Sequence, residues 1–240
     1  MKKIKTFLCL FLGSFLTACA AGDTSIPDTP VEHLYNQGHD YFAQKDYEEA
    51  ARHFDEVERQ HPYSVWAPRA QIMTAYSFYQ ADKYDDAILA LDRFIQLHPG
   101  NRNIAYAYYL KGLCYFEQMS DVSREQKMTE DALDTFKELL YRFPNSIYVP
   151  DVNVKLKEIA SHLAGKEMSV GRYYLKNKEY IPALNRFQSV LIEHPHANQS
   201  SEALYRLATC YTALGMLPQA LQMQGLLSYY YPQSPWTIKT

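Results

Sequence analysis

The sequence has little of what would mark an enzyme, a membrane-spanning protein or a nucleic-acid binder. The apolar run near the start, FLCLFLGSFL, covers ten residues, against the roughly 20 that a membrane-spanning helix takes. Positive charge is not in excess: 24 Lys and Arg stand against 27 Asp and Glu, a formal net charge of −3. Removing residues 1–18, which hold Lys2, Lys3 and Lys5 and no acid, takes the charge from −3 to −6. An acidic chain argues against nucleic acid as a main partner, since phosphate binding asks for a basic face. There is no Gly-rich phosphate loop, no HExxH, no GxSxG and no close Cys–His pairing, so no catalytic constellation is expected. Only four cysteines occur. Nothing in the composition suggests disorder.

What is there begins with a leader. MKKIK supplies positive charge and the apolar run follows, which fits a signal peptide over residues 1–18. It closes on Leu16-Thr17-Ala18-Cys19, which resembles a bacterial lipobox. That resemblance implies cleavage before Cys19, with S-diacylglycerol and N-acyl lipid on that residue and no other cofactor. Several acyl chains on one residue anchor far more firmly than one. Ala20 rather than Asp follows the cysteine, and by analogy this favours the outer membrane over retention in the inner one. Residues 19–31 are small, polar and Pro-bearing and read as a flexible tether. Cys9 leaves with the leader, so Cys114 and Cys210 remain. They hold equivalent places two repeats apart, which forbids a disulfide between them, and they are expected as small buried hydrophobes.

The rest is organised by a recurring frame, first seen in residues 38–62. Closing prolines stand at Pro62, Pro99, Pro144, Pro195 and Pro232, each preceded twelve residues earlier by Ala50, Ala87, Ala132, Ala183 and Ala220. A small residue and an aromatic three later also recur, as Gly38/Tyr41, Ala75/Phe78, Gly112/Tyr115, Gly171/Tyr174 and Ala208/Tyr211. The prolines lie 37, 45, 51 and 37 residues apart. Periods in this range with two helical patterns each predict a helical solenoid. In the second repeat, helix A is expected over residues 65–81 and helix B over 85–97. The small residue and the alanine let the two helices cross closely, the aromatic fills the gap, and the proline ends helix B. Ser64, Ser146 and Ser234 are expected to cap the next A helix. Glu48-Glu49 and Asp85-Asp86 read as solvated starts of B helices. His61, His98 and His194 read as polar residues near helix C-termini rather than as a zinc site.

The frame resembles the tetratricopeptide repeat. The resemblance implies an all-α, right-handed α-solenoid of five helical hairpins. Two departures stand out. Eight extra polar residues, 120–127, sit between the helices of the third repeat. Between the third and fourth repeats, Val152, Leu156, Ile159 and Leu163 continue at helical spacing toward Val170 and Tyr174. One long helix over about residues 150–176 is expected, dividing an N-terminal half (32–149) from a C-terminal half (150–240). In such solenoids helix A lines the concave face. Alignment places Tyr35, His39 and Phe42 there in the first repeat, then Ile72, Tyr76 and Tyr79, then Tyr106, Tyr109, Leu113 and Phe116. Met168, Arg172 and Leu175 follow in the fourth, and Tyr205, Thr209 and Thr212 in the fifth. The first three repeats thus offer an aromatic groove suited to extended, apolar peptide segments, and the last two do not.

The whole layout resembles the BamD family, lipoproteins of the outer-membrane β-barrel assembly (Bam) machinery. The local match lies in Asp92-Arg93-Phe94-Ile95-x-Leu97-x-Pro99, in Asn103…Tyr106…Tyr109…Gly112, in Phe143-Pro144-Asn145-Ser146-x-Tyr148 and in Val170-x-x-Tyr173-Tyr174. The resemblance implies a non-enzymatic scaffold on the periplasmic side of the outer membrane, lipid-anchored in its inner leaflet. It implies unfolded β-barrel substrates on the N-terminal repeats. It also implies docking of the C-terminal repeats on the POTRA region of BamA, alongside other Bam subunits, with Arg186 as a contact. A pilus-assembly lipoprotein is the alternative; such chains have more regular 34-residue spacing and no long dividing helix.

Overall fold

The computed structural model describes residues 29–122 and 124–239. The expected signal peptide, Cys19 and the tether up to residue 28 lie outside the described residues. Among the described residues the chain forms ten α-helices, a closing 3₁₀ turn and no strand. They are α1 (Val31–Ala43), α2 (Tyr47–Gln60), α3 (Ala67–Gln80), α4 (Tyr84–Leu97), α5 (Ile104–Glu117), α6 (Lys127–Arg142), α7 (Val149–Lys176), α8 (Tyr180–Glu193), α9 (Ser200–Ala213) and α10 (Leu217–Tyr230). Each packs mainly on its neighbours in sequence, as stacked hairpins must. The expected second-repeat helices are found with their starts displaced by one or two residues.

The frame alanines Ala50, Ala87, Ala132 and Ala183 are fully buried and Ala220 nearly so. What fills the gap between paired helices differs from expectation. It is the B-helix residue four after the alanine: Phe54, Phe136 and Phe187 are wholly buried. A Cβ added to Gly38, Gly112 or Gly171 would stand 2.8, 2.3 or 2.5 Å from the Phe54, Phe136 or Phe187 ring. Where the A helix carries Ala75 or Ala208 instead, the matching B-helix position holds Leu91 or Gln224. Glycine is thus paired with phenylalanine, and alanine with something slimmer, because the interior admits one volume but not two.

The frame aromatic is only half-buried. In four repeats its backbone ends helix A. The residue after the C-cap is left-handed at Lys45, Asp82, Lys178 and Gly215, with φ of 65°, 56°, 62° and 76°. The next N–H then donates back to the aromatic's carbonyl. Asp46 donates to Tyr41 at 3.0 Å, and Lys83 to Phe78, Glu179 to Tyr174 and Met216 to Tyr211 at 2.9 Å each. This is the Schellman closure.

The serines also do something other than predicted. Ser64, Ser146 and Ser234 Oγ accept from the N–H two residues on, Trp66 at 3.1 Å and Tyr148 and Trp236 at 3.3 Å. They fix the turn before the helix, and no side chain caps α3 or α7. Acidic pairs do begin α2 and α4, and His61, His98 and His194 are each a C-cap residue. Cys114 and Cys210 are buried and unpaired, and burial pushes their thiols up to about 12 and about 11.

Three apolar clusters form. One holds Leu34, Phe54, Val57 and Ala70 of the first hairpin and its neighbour. A second joins α3 to α6 with Val152, Leu156, Ile159 and Leu163 of α7. The third starts at Ala164 and Met168 of the same helix and continues through α8 and α9. Helix α7 therefore serves both, and its packing changes partner between Leu163 and Ala164. The third-repeat insert explains why the change falls there. It is tied by Gln126 Nε2, which donates to the carbonyls of Asp121 (3.2 Å) and Arg124 (3.0 Å). It reaches α7 at Gly165, where a Cβ would lie 3.3 Å from the Val122 side chain. Lys166 Nζ also donates to the Arg124 carbonyl at 3.3 Å.

Candidate functional site

The A helices α1, α3 and α5 carry the expected lining residues, and most of their rings pack in two groups. Phe42 stacks on Tyr76 at 5.5 Å and packs against Tyr47 at 5.1 Å. Tyr76 lies 6.4 Å from Tyr79, which meets Tyr84 at 5.7 Å. In the third repeat Tyr106 and Tyr109 flank Tyr148 of the following turn, at 5.7 and 4.6 Å. Phe116 lies under the Lys155 ammonium at 4.7 Å. Tyr109 Oη donates to Asp151 Oδ2 at 2.7 Å. Burial is the main cause that raises the phenols of Tyr79, Tyr106 and Tyr109; for Tyr106 its tyrosine neighbours add to it, and for Tyr109 the Asp151 hydrogen bond does. Tyr84 is pushed up to about 12 by burial and its bond to Asp82. The surface presents neutral rings with hydroxyl donors, which suits apolar chain with occasional backbone acceptors.

Two expected residues do not belong to it. Ile72 is 7% exposed and Met168 wholly buried; each packs into a core cluster. The reason is an alternation. Position three before the small residue holds Tyr35, Tyr109 and Tyr205 in odd repeats. There the residue four after the closing proline is also a ring: Trp66, Tyr148 and Trp236. These pairs sit 4.8, 4.6 and 5.2 Å apart. In even repeats the partners are Ile72 with Asn103 and Met168 with Gln199. With no ring to lie on, the aliphatic side chain turns inward. Tyr35 is consequently half-covered, by Trp66 and by Phe54 at 5.3 Å. The sequence carried a signal for the partners, the aromatic after each Pro-x-Ser; it gave none for Asp151 or Lys155, which α7 brings in from about forty residues away.

The last two repeats differ in chemistry. Arg172 donates from Nε and Nη2 to Glu202 at 2.9 and 2.7 Å, and Arg206 Nε donates to the same carboxylate at 3.2 Å. Arg206 and Lys239 lie over the Trp236 ring at 5.2 and 4.3 Å. Thr209 and Thr212 turn their hydroxyls back to the carbonyls of Tyr205 (3.0 Å) and Ala208 (2.8 Å). Arg186 is exposed on α8 and pairs with Glu167 of α7 at 3.2 Å. No group of His, Cys, Asp and Glu among the described residues is placed to hold a metal, and no described helix is long and apolar enough to cross a membrane.

A stack of helical hairpins with a ring-lined A-helix face is a helical repeat protein of the tetratricopeptide type. Residues 27–226 match the family model described as YfiO, outer membrane lipoprotein. The chain is 42% identical over 211 residues to the outer membrane protein assembly factor BamD of Caulobacter vibrioides, covering 88% of this chain and 69% of that one. It is 40% identical to BamD of Rickettsia prowazekii, covering 95% and 91% of the two chains. For BamD of Neisseria meningitidis serogroup A the identity is 34%, with 98% and 94% covered. The solved TPR2AB-domain:pHSP90-complex of yeast Sti1 is a loose likeness, with TM-score 0.49 and 13% identity over 86% of this chain and 80% of that one. The chain belongs to the BamD family of outer membrane protein assembly factors.

Proposed function

We propose that the ring series of the first three repeats holds extended, apolar segments of unfolded outer-membrane β-barrel proteins during their assembly. The broader role is the family's: an outer membrane protein assembly factor, part of the Bam complex and associated with the outer membrane. The observation that supports the finer reading is the presence of two ring groups on successive A helices, Phe42 with Tyr76 and Tyr79, and Tyr106 and Tyr109 about Tyr148. Successive side chains of a bound strand meet successive rings, and aromatic contacts give about 0.5–1.5 kcal/mol each beyond area burial. Tyr76→Ala with Tyr109→Ala is expected to weaken binding of a barrel-derived peptide by about tenfold or more, read by titration calorimetry with an unchanged circular dichroism spectrum. Unchanged affinity in the folded double variant would sink the groove.

The C-terminal repeats are the proposed docking surface for the POTRA region of BamA, with the other Bam subunits alongside. Arg186 is proposed as one contact. Its ion pair with Glu167 is exposed and worth little to the fold, so the guanidinium can be spent on a partner carboxylate. Arg186→Glu should reduce recovery of BamA on co-purification severalfold while the melting temperature stays within a few degrees; full recovery would remove Arg186 from the interface. Lipid on Cys19 is proposed to hold the molecule to the inner leaflet of the outer membrane on its periplasmic side.

A further inference from the structure

We infer that the first B-to-A turn, residues 61–66, is a second membrane contact that lays Tyr63 and Val65 into the lipid headgroup region. The inference rests on the reading of Cys19 as the lipid anchor. Tyr63 is 101% exposed and Val65 82%, two apolar side chains flanking Ser64 with solvent on every side. A scattered exposed hydrophobe needs no explanation; this pair is singled out by its place.

The turn is pre-organised. Ser64 N–H donates to the His61 carbonyl at 3.0 Å and Ala67 N–H to the Ser64 carbonyl at 3.1 Å. Ser64 Oγ accepts from Trp66 N–H at 3.1 Å. Both side chains are thus held outward before any partner arrives, and little ordering opposes insertion.

The place is set by the incoming chain. Thr29 is fastened to the end of α2: its N–H donates to Gln60 Oε1 at 2.9 Å, and its carbonyl meets His61 Nε2 at 2.6 Å. Thr29 stands ten positions after Cys19, a span of at most about 35 Å even fully extended. The turn adjoining that attachment stays within reach of the lipid surface at high effective concentration. Its chemistry fits the interface. Tyrosine favours the headgroup level, with an apolar ring and a polar tip. Residues 61–69 contain no acid, and Arg69, over the Trp66 ring at 5.7 Å, faces anionic headgroups favourably. The second such turn offers Gly100 and Arg102 instead, and the fourth His196 and Asn198.

The test uses the full lipidated chain on vesicles of phosphatidylethanolamine and phosphatidylglycerol. Tyr63→Cys and, as a control on α7, Tyr173→Cys carry an environment-sensitive fluorophore; Cys114 and Cys210 are buried and do not take label. With the protein floating on vesicles, the label at 63 should shift to the blue and be quenched by headgroup-level nitroxide lipid, while the label at 173 stays water-like and unquenched. Flotation with a water-like, unquenched label at 63 overturns the membrane contact and leaves the anchor standing. Loss of flotation overturns the anchor reading, and this inference with it.

Discussion

Gly112→Ala should lower stability by about 1–3 kcal/mol, the usual result of forcing a methyl group into a filled interior. The sign is not obvious, since alanine favours a helix by about 1 kcal/mol over glycine. Geometry decides it. The new Cβ would stand 2.3 Å from Phe136 Cε1 and 2.6 Å from Cδ1, and that ring is wholly buried with nowhere to withdraw. The second repeat shows the remedy, because Ala75 there goes with Leu91. Phe136→Leu should therefore restore part of what Gly112→Ala loses, and the pair should be less damaging than the two single effects summed, with a coupling of about 0.5–3 kcal/mol. Urea denaturation midpoints of the four proteins measure it. Simple additivity would show that the glycine is not there for the ring.

Removing the Glu202 carboxylate should measurably destabilise the C-terminal repeats. Glu202 is 12% exposed and takes hydrogen bonds from Arg172 and Arg206. Glu202→Ala leaves two guanidiniums facing each other without a counter-ion, and a cost of about 1–3 kcal/mol follows from the lost charge-assisted bonds. Burial by itself raises this carboxyl, yet the bonds and charges of Arg172 and Arg206 outweigh it and leave it below the usual glutamate range. Because the folded-state value lies below the unfolded one, the stabilisation is complete above the ordinary carboxylate range. It fades as pH falls through the folded-state value. The wild-type chain should lose stability over that acid interval, and Glu202→Gln should be less stable at neutral pH with a flatter acid limb. Parallel acid limbs for the two proteins would rule out this carboxylate as the source.

The frame of small residue, alanine and proline was legible in the sequence because it obeys local rules: helical period, chain termination and the need for small residues at a crossing. The long helix α7 could be read for the same reason, from apolar spacing that no proline interrupts. The gap-filling role given to Tyr41, Phe78 and their equivalents was misplaced by one helix. Filling is a matter of which side chains meet across a crossing, and Phe54, Phe136 and Phe187 meet the glycines from the B side. Ile72 and Met168 were misread as lining for a related reason: whether such a side chain faces out depends on a residue some thirty positions later, Asn103 or Gln199, offering no ring to lie on.

The sequence by itself determined that this chain is a stack of helical hairpins and where each hairpin closes. Those are consequences of spacing, and spacing is written in one dimension. Only the tertiary structure decided which rings touch, that α7 divides its packing between Leu163 and Ala164, and that Asp151 and Lys155 join the aromatic face. It also decided that Thr29 is fastened beside the exposed Tyr63 and Val65. Each of these is a meeting of segments far apart in the chain, fixed by volume and hydrogen-bond geometry when the helices stack, and no local pattern encodes it.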